Sequence, residues 1–284
     1  MPTIKIIVCC HKKDYYVSND VYLPIQVGKK KSTIDLGICS DDQGVNISGL
    51  NHLYCELTGL YWAWNNLDCD YIGLCHYRRY YCFGGITISL LGKKIKYWLS
   101  NIFSSLSCTG KYYPFYDRIT VNNETELFEK SNEFCSSLKK TINRNPEIKI
   151  FALNPVLYGN INNETFFSTV AGSFHIRIIK KIVYDKFPYL YPSLSKTLDS
   201  NKLHYANMVI LERSKFDEYC SFMFGVLEEH LTILVRDKWH IDIKEKSIQR
   251  LSGYLGELLT SAFVQYYMEV QPSSVKYLSL LQMK

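Results

Sequence analysis

Short apolar runs that end abruptly in polar or charged residues recur through the first third of this chain. Residues 4–10 (Ile-Lys-Ile-Ile-Val-Cys-Cys) are apolar and rich in β-branched side chains, and the run stops at His11-Lys12-Lys13-Asp14. Such a run reads as a buried strand with polar residues at its carboxyl end. Residues 20–27 and 33–39 read as further short strands, the second closing on Ser40-Asp41-Asp42-Gln43-Gly44. The period then changes. Over residues 49–66, Leu50, Leu53, Leu57, Leu60, Tyr61 and Trp64 recur at helical spacing, with Ser48 as N-cap. Residues 70–75 return to an apolar strand that ends in His76-Tyr77-Arg78-Arg79.

This order, with polar residues at successive strand ends, predicts an α/β fold: an open, largely parallel sheet flanked by helices. Ligands of such sheets bind beyond the carboxyl ends of the strands. That rule gathers His11, Lys12, Asp41, Asp42, His76, Arg78 and Arg79 onto one rim, although they are far apart in sequence. The stretch 84–147 is less regular, with helical character at 124–143. Strands are expected at 148–153 and 205–211, and helices at 166–184, 192–200, from Ser214 to about 235, and from about 246 to 268. No internal repeat or low-complexity linker divides the chain, so 1–284 reads as one domain with a helical C-terminal part.

Composition narrows the function. The 284 residues carry 23 Tyr, 14 Phe and 4 Trp, aromatic area that serves cores and also sugar or base stacking. The formal charge of +6 suits an anionic ligand or surface, but no arginine-rich run, zinc-finger spacing or RNA-binding aromatic motif accompanies it, so a nucleic-acid role is not expected. The 10 cysteines include no CxxC pair and no Cys-His zinc spacing, and several sit inside apolar runs. They read as reduced thiols in a cytoplasmic protein. The N-terminal residues lack the pattern of a signal peptide, and no run approaches the ~18 apolar residues of a membrane span.

Four features carry candidate chemistry. His76-Tyr77-Arg78-Arg79-Tyr80-Tyr81 places two guanidiniums and an imidazole at a strand end, a set suited to a diphosphate; its bland reading is surface arginines paired with acids. Asp41-Asp42-Gln43-Gly44 reads either as a turn or as acids for a ribose, a cation or proton abstraction. In the helix around Tyr61, Glu56 is unusual among apolar neighbours, and an ion pair with one of the arginines is its expected partner. Gly253 and Gly256 flank the turn that leads to Glu257, which suggests close packing or approach to a ligand.

Taken together and in order, these motifs resemble a known family. Val8-Cys9-Cys10-His11-Lys12, the segment 41–48, the block 54–64 and Asp70-Tyr71-Ile72-Gly73-Leu74-Cys75-His76-Tyr77-Arg78-Arg79-Tyr80 are similar to a bacterial capsular-polysaccharide-synthesis family formerly of unknown function. Its members are now regarded as galactofuranosyltransferases of O-antigen and capsule assembly. Leu203-His204-Tyr205-Ala206-Asn207, Phe216-Asp217-Glu218-Tyr219-Cys220 and Arg250-Leu251-Ser252-Gly253-Tyr254-Leu255-Gly256-Glu257 extend the resemblance to the C-terminal half. It implies a fold like the nucleotide-diphospho-sugar transferases (GT-A-like). The implied reaction moves galactofuranose from its UDP-sugar to a hydroxyl of a lipid-linked glycan, with inversion.

On that reading 1–82 is the nucleotide-binding half, 83–165 a variable acceptor or membrane segment, and 166–284 the C-terminal half. Asp42 and Glu257 are the candidate bases. His11, Lys12, Asp41, His76, Arg78, Arg79 and Asn207 are assigned to the donor, and Tyr80 and Trp62 to the acceptor. Arginines stand where an Asp-x-Asp metal motif would follow the 70–75 strand, so no metal cofactor is expected. The chain has Glu257-Leu258 where the family usually has Glu-Arg. Basic residues beside aromatics in 88–106 (Lys93, Lys94 and Lys96 near Trp98) suit a peripheral contact with the inner membrane face. The competing readings are a transferase for another UDP-sugar (galactopyranose or N-acetylglucosamine) and a non-catalytic glycan-binding subunit of an assembly complex.

Overall fold

A computed structural model describes residues 2–84, 95, 117–236 and 249–284. The basic stretch 88–106, apart from Ile95, lies outside the described residues, as does most of the proposed variable segment before residue 117.

The N-terminal half builds a parallel unit. β1 (Ile4–Cys10) pairs in parallel with β2 (Tyr22–Gln26), and β2 with β3 (Cys39–Ser40), a much shorter strand than the 33–39 expected. Helices α1 (Asn51–Tyr54) and α2 (Leu57–Asn66) then return the chain to β4 (Tyr71–His76), which lies parallel to β1 on its other side. Parallel strands covered by helices are buried on both faces, and β1 and β4 are accordingly almost continuous core.

Past β4 the sheet is mixed, which corrects the expectation of a largely parallel one. β5 (Arg79–Cys82) follows β4 after a tight turn; β6 (Arg118–Val121) and α3 (Glu124–Arg144) lead to β7 (Ile150–Leu153). A two-stranded ribbon of β8 (Val156–Leu157) and β9 (Lys202–Leu203) brackets α4 (Asn163–Phe167), α5 (Ser173–Lys186) and α6 (Tyr191–Asp199). β10 (Val209–Glu212) lies antiparallel to both β4 and β7. After α7 (Arg213–Arg236) and α8 (Leu251–Val270), β11 (Val275–Met283) enters between β7 and β5 and also pairs with β6. The pairings β4–β10–β7–β11–β5–β4 therefore return to their start. β10 approaches β4 where Gly73 stands: a Cβ there would come within 2.7 Å of the Ile210 side chain.

One continuous hydrophobic cluster includes residues from β1 through β11, so both halves share a core. All nine described cysteines are free, and most are buried within it. Among the described residues, no helix is long and apolar enough to cross a membrane.

The expected helix over 49–66 is broken. Cys55 adopts φ 51°, ψ −128°, and separates α1 from α2. Asn51 Nδ2 donates to the Cys55 carbonyl at 2.7 Å and the Thr58 N–H donates to it at 3.2 Å, which satisfies the backbone group freed by the break. Ser48 is not the N-cap of this helix; its hydroxyl donates to Asp41 Oδ1 at 2.5 Å.

Candidate active site

β1 and β4 end side by side, with Cys9 opposite His76 in register. The turn after β4 carries Tyr77 and Arg78, and β5 begins at Arg79 opposite Gln282 of β11. The last residues of β11 therefore reach the same edge as the ends of β1 and β4. There, a cavity of about 660 Å³ is lined by His11, Asn51, Cys55, Glu56, His76, Tyr77, Arg78, Arg79, Arg250 and residues 282–284. Its size falls in the range of small-molecule sites, at the place where open α/β sheets bind ligands.

One wall is cationic. Arg78 is held by Asp14, 3.0 Å away, so part of its charge is already matched. Arg79 instead lies over the Tyr205 ring at 4.9 Å, and Arg250 over the Tyr254 ring at 5.3 Å. Among the described residues neither Arg79 nor Arg250 forms an ion pair, although Arg250 is hydrogen-bonded to the Cys55 side chain, so neither guanidinium charge is matched by an acid. Arg250 (φ 67°) stands at the N-cap of α8, whose unsatisfied N–H groups and dipole add positive potential there.

The two histidines of the wall are poor cations. Burial and the neighbouring Lys12 and Arg250 lower the pKa of His11, which packs edge-on against Tyr77. Burial likewise lowers that of His76, against the pull of Glu56. The His76 Nε2 lies 3.1 Å from the Ala206 carbonyl. A carbonyl only accepts, so Nε2 carries the proton and Nδ1 keeps its lone pair. His76 thus offers an acceptor to a ligand, where a phosphate-binding cation was expected.

Two acids stand at the same site, one lining the cavity and one behind it. Glu56, placed by the break at Cys55, lines the cavity and accepts from Asn207 Nδ2 at 2.8 Å. No arginine pairs with it among the described residues, so the expected ion pair is replaced by an amide. Glu257 accepts from the Ala206 N–H at 3.2 Å, and burial followed by the negative charge of Glu56 pushes its pKa up to about 8. Near neutral pH Glu257 is mostly protonated, and it does not itself line the cavity.

The raised pKa has a thermodynamic consequence. Unfolded, Glu257 ionises near its model value of 4.5; folded, it holds its proton to about 8. Between these values the native state binds more protons than the unfolded state, so this group's contribution falls as pH rises and is fully present only below the lower value. Discounted for the partial exposure of the side chain, the loss should be about 2–4 kcal/mol by pH 9. Glu257→Gln, which can still accept from Ala206, should gain that much on wild type between pH 5 and pH 9 in denaturant titrations. A constant difference across the range would contradict the assignment.

The structure brings His11, His76, Arg78 and Arg79 together as expected and adds Glu56 and Arg250. Lys12 is exposed at the rim, 5.6 Å from the Tyr77 ring. Other candidates lie elsewhere. Asp41 is fully buried and accepts from Gly28 N, Lys29 N, Ser48 Oγ and Thr58 Oγ1, so it is a tie between loops and not a ligand contact. Asp42 bonds Ser40 and Gln43 and lines no part of the cavity. Tyr80 is fully buried with its hydroxyl accepting from Val17 N, and Trp62 is 8% exposed within the core, so neither can meet an acceptor in this conformation. Asn207 is fully buried behind Glu56, out of reach of a donor. Leu258 is fully buried in the core.

Among the described residues, no group of three or more His, Cys, Asp or Glu side chains is arranged to hold a metal ion. No curated protein sequence matches the chain. Its fold matches the apo structure of WbbM, a bifunctional glycosyltransferase, with a TM-score of 0.79 at 21% identity, over 99% of this chain and 45% of that one. The chain thus spans under half the length of that protein, and the likeness is one of fold. Residues 5–268 match the family described as Domain of unknown function (DUF4422), and the chain belongs to that family.

Proposed function

We propose that the protein is a glycosyltransferase whose cavity binds a nucleoside-diphosphate sugar and passes the sugar to a hydroxyl of a second glycan. The observation that carries this reading is the presence, in one cavity, of two guanidiniums without acid partners (Arg79 and Arg250) together with a carboxylate (Glu56). The guanidiniums suit a diphosphate, and the carboxylate suits the proton of an attacking hydroxyl. The fold shared with part of a bifunctional glycosyltransferase supports the same reading.

The step follows from these positions. The acceptor oxygen attacks the anomeric carbon, its proton passes to Glu56, and the bond from that carbon to the diphosphate oxygen breaks. The bonding electron pair leaves on the diphosphate, where Arg79 and Arg250 stabilise the growing charge. His76 Nδ1 accepts a hydrogen bond from a sugar hydroxyl, and protonated Glu257 backs Glu56. Glu56 thereby replaces Asp42 and Glu257 as the proposed base. The resemblance of the motif blocks supplies the finer assignment: UDP-galactofuranose as donor, inversion at the anomeric carbon, and a lipid-linked surface glycan as acceptor. Another UDP-sugar remains the alternative donor within the same chemistry.

With arginines serving the diphosphate, transfer should proceed without a divalent ion. A panel of UDP-sugars, tested for hydrolysis and transfer in chelator and then with added manganese, is the check. Activity with UDP-galactofuranose, equal in both conditions, is expected. Abolition by chelator would refute the metal-independent reading, and turnover confined to a pyranose sugar would replace the donor.

A further inference from the structure

We propose that Asn207 is a positioning residue for Glu56, the end of a one-way chain of hydrogen-bond donors that orients its carboxylate. The role as base rests on the reading above; the orientation of Glu56 does not.

Backbone strain first marks the place. Among the described residues, the non-glycine residues with positive φ are Cys55, Ala206, Asn207 and Arg250. Cys55 and Arg250 line the cavity, and Ala206 and Asn207 form the turn directly behind it. Left-handed backbone is unfavourable for any residue with a Cβ, and it persists where surrounding structure imposes it, commonly at functional sites. Here the turn places three groups at once. Ala206 gives its carbonyl to His76 and its N–H to Glu257, and Asn207 gives its side-chain amide to Glu56.

The direction of each hydrogen bond behind Glu56 follows from chemistry. Asn207 Nδ2 donates to Glu56 Oε1 at 2.8 Å and to the Gly253 carbonyl at 3.2 Å, which fixes the amide orientation. Its Oδ1 can only accept, and it does so from the Thr260 hydroxyl at 3.0 Å. With that proton committed, the 2.7 Å bond between Thr260 and Tyr219 must have Tyr219 as donor. Tyr219 is fully buried, and burial pushes its phenol pKa up, so the donor stays protonated. Every donor from Tyr219 through Thr260 and Asn207 therefore points toward Glu56. Aligned donors polarise one another, which strengthens the last bond, the one that holds the Glu56 carboxylate in place. Gly256 permits the approach, since a Cβ there would stand 3.1 Å from Asn207 Oδ1.

The test follows the Glu56 carboxyl by NMR in protein carrying ¹³C-carboxyl glutamate, with the signal assigned through Glu56→Gln. In Asn207→Ala the Glu56 signal should move and broaden as its carboxylate loses a fixed partner, and in Thr260→Val it should change less, in the same direction. In turnover, kcat should fall about 10- to 100-fold in Asn207→Ala while the donor KM changes little, because the base is misplaced and the donor's own contacts are kept. An unmoved Glu56 signal in both variants, whatever their melting temperatures, would overturn the proposal. If Asn207→Ala fails to fold, the Thr260→Val spectrum alone decides it. Failure of the protein to bind any nucleoside diphosphate would instead count against the glycosyltransferase reading and leave the NMR result standing.

Discussion

Glu56→Gln should lower kcat by roughly 10²- to 10⁴-fold, the range removed with a general base, while the nucleotide sugar still stabilises the fold. The substitution keeps the shape of the side chain, and its amide oxygen can still accept from Asn207 Nδ2. What is lost is a group able to take the acceptor's proton. The same change removes the negative charge that helps raise the Glu257 pKa to about 8, so that pKa should fall toward its ordinary range. Relative stability above pH 7 should rise in consequence, because the folded state no longer resists ionisation of Glu257 as strongly. A variant slower than wild type and more stable at alkaline pH is hard to explain by misfolding. Unchanged kcat would remove Glu56 from the chemistry.

Asp41→Ala should destabilise the protein by about 3–5 kcal/mol, the scale for leaving several buried donors without an acceptor. The carboxylate joins three segments: the Gly28-Lys29 turn after β2, Ser48 before α1, and Thr58 on α2. Without it, Gly28 N–H and the Ser48 and Thr58 hydroxyls lose their shared partner inside the core. Thr58 Oγ1 also accepts from Asn51 Nδ2, the group that holds the Cys55 carbonyl, so a displaced Thr58 loosens the break that presents Glu56. Stability measured by urea titration and activity should therefore fall together. A loss of activity at full stability would instead return Asp41 to the ligand site.

The strand-end rule made part of this site legible. His11, His76, Arg78 and Arg79 follow apolar runs that could only be strands, and the parallel pairing of β1 with β4 set them side by side. Asp41 followed the same logic and failed, because a side chain at a strand end can turn inward when buried donors await it. The break at Cys55 leaves no mark in the sequence, because leucines recur at helical spacing on both sides of it. β11 was not anticipated: Lys276, Ser279 and Gln282 interrupt its apolar pattern, and its partners β5, β6 and β7 are far away in sequence. Arg250 had no local signature either. Its place follows from left-handed backbone and from where α8 starts, and tertiary packing sets both.

The central claim is that Arg79 and Arg250 receive a diphosphate in the cavity beyond β1 and β4, and calorimetric titration with UDP tests it most directly. Wild type should bind. Arg79→Ala and Arg250→Ala should each weaken binding by about 10- to 150-fold, the equivalent of a charged hydrogen bond of about 1.5–3 kcal/mol, and Lys12→Ala at the rim should bind nearly as wild type. UDP that fails to bind wild type, or binds both arginine variants unchanged, would contradict the account.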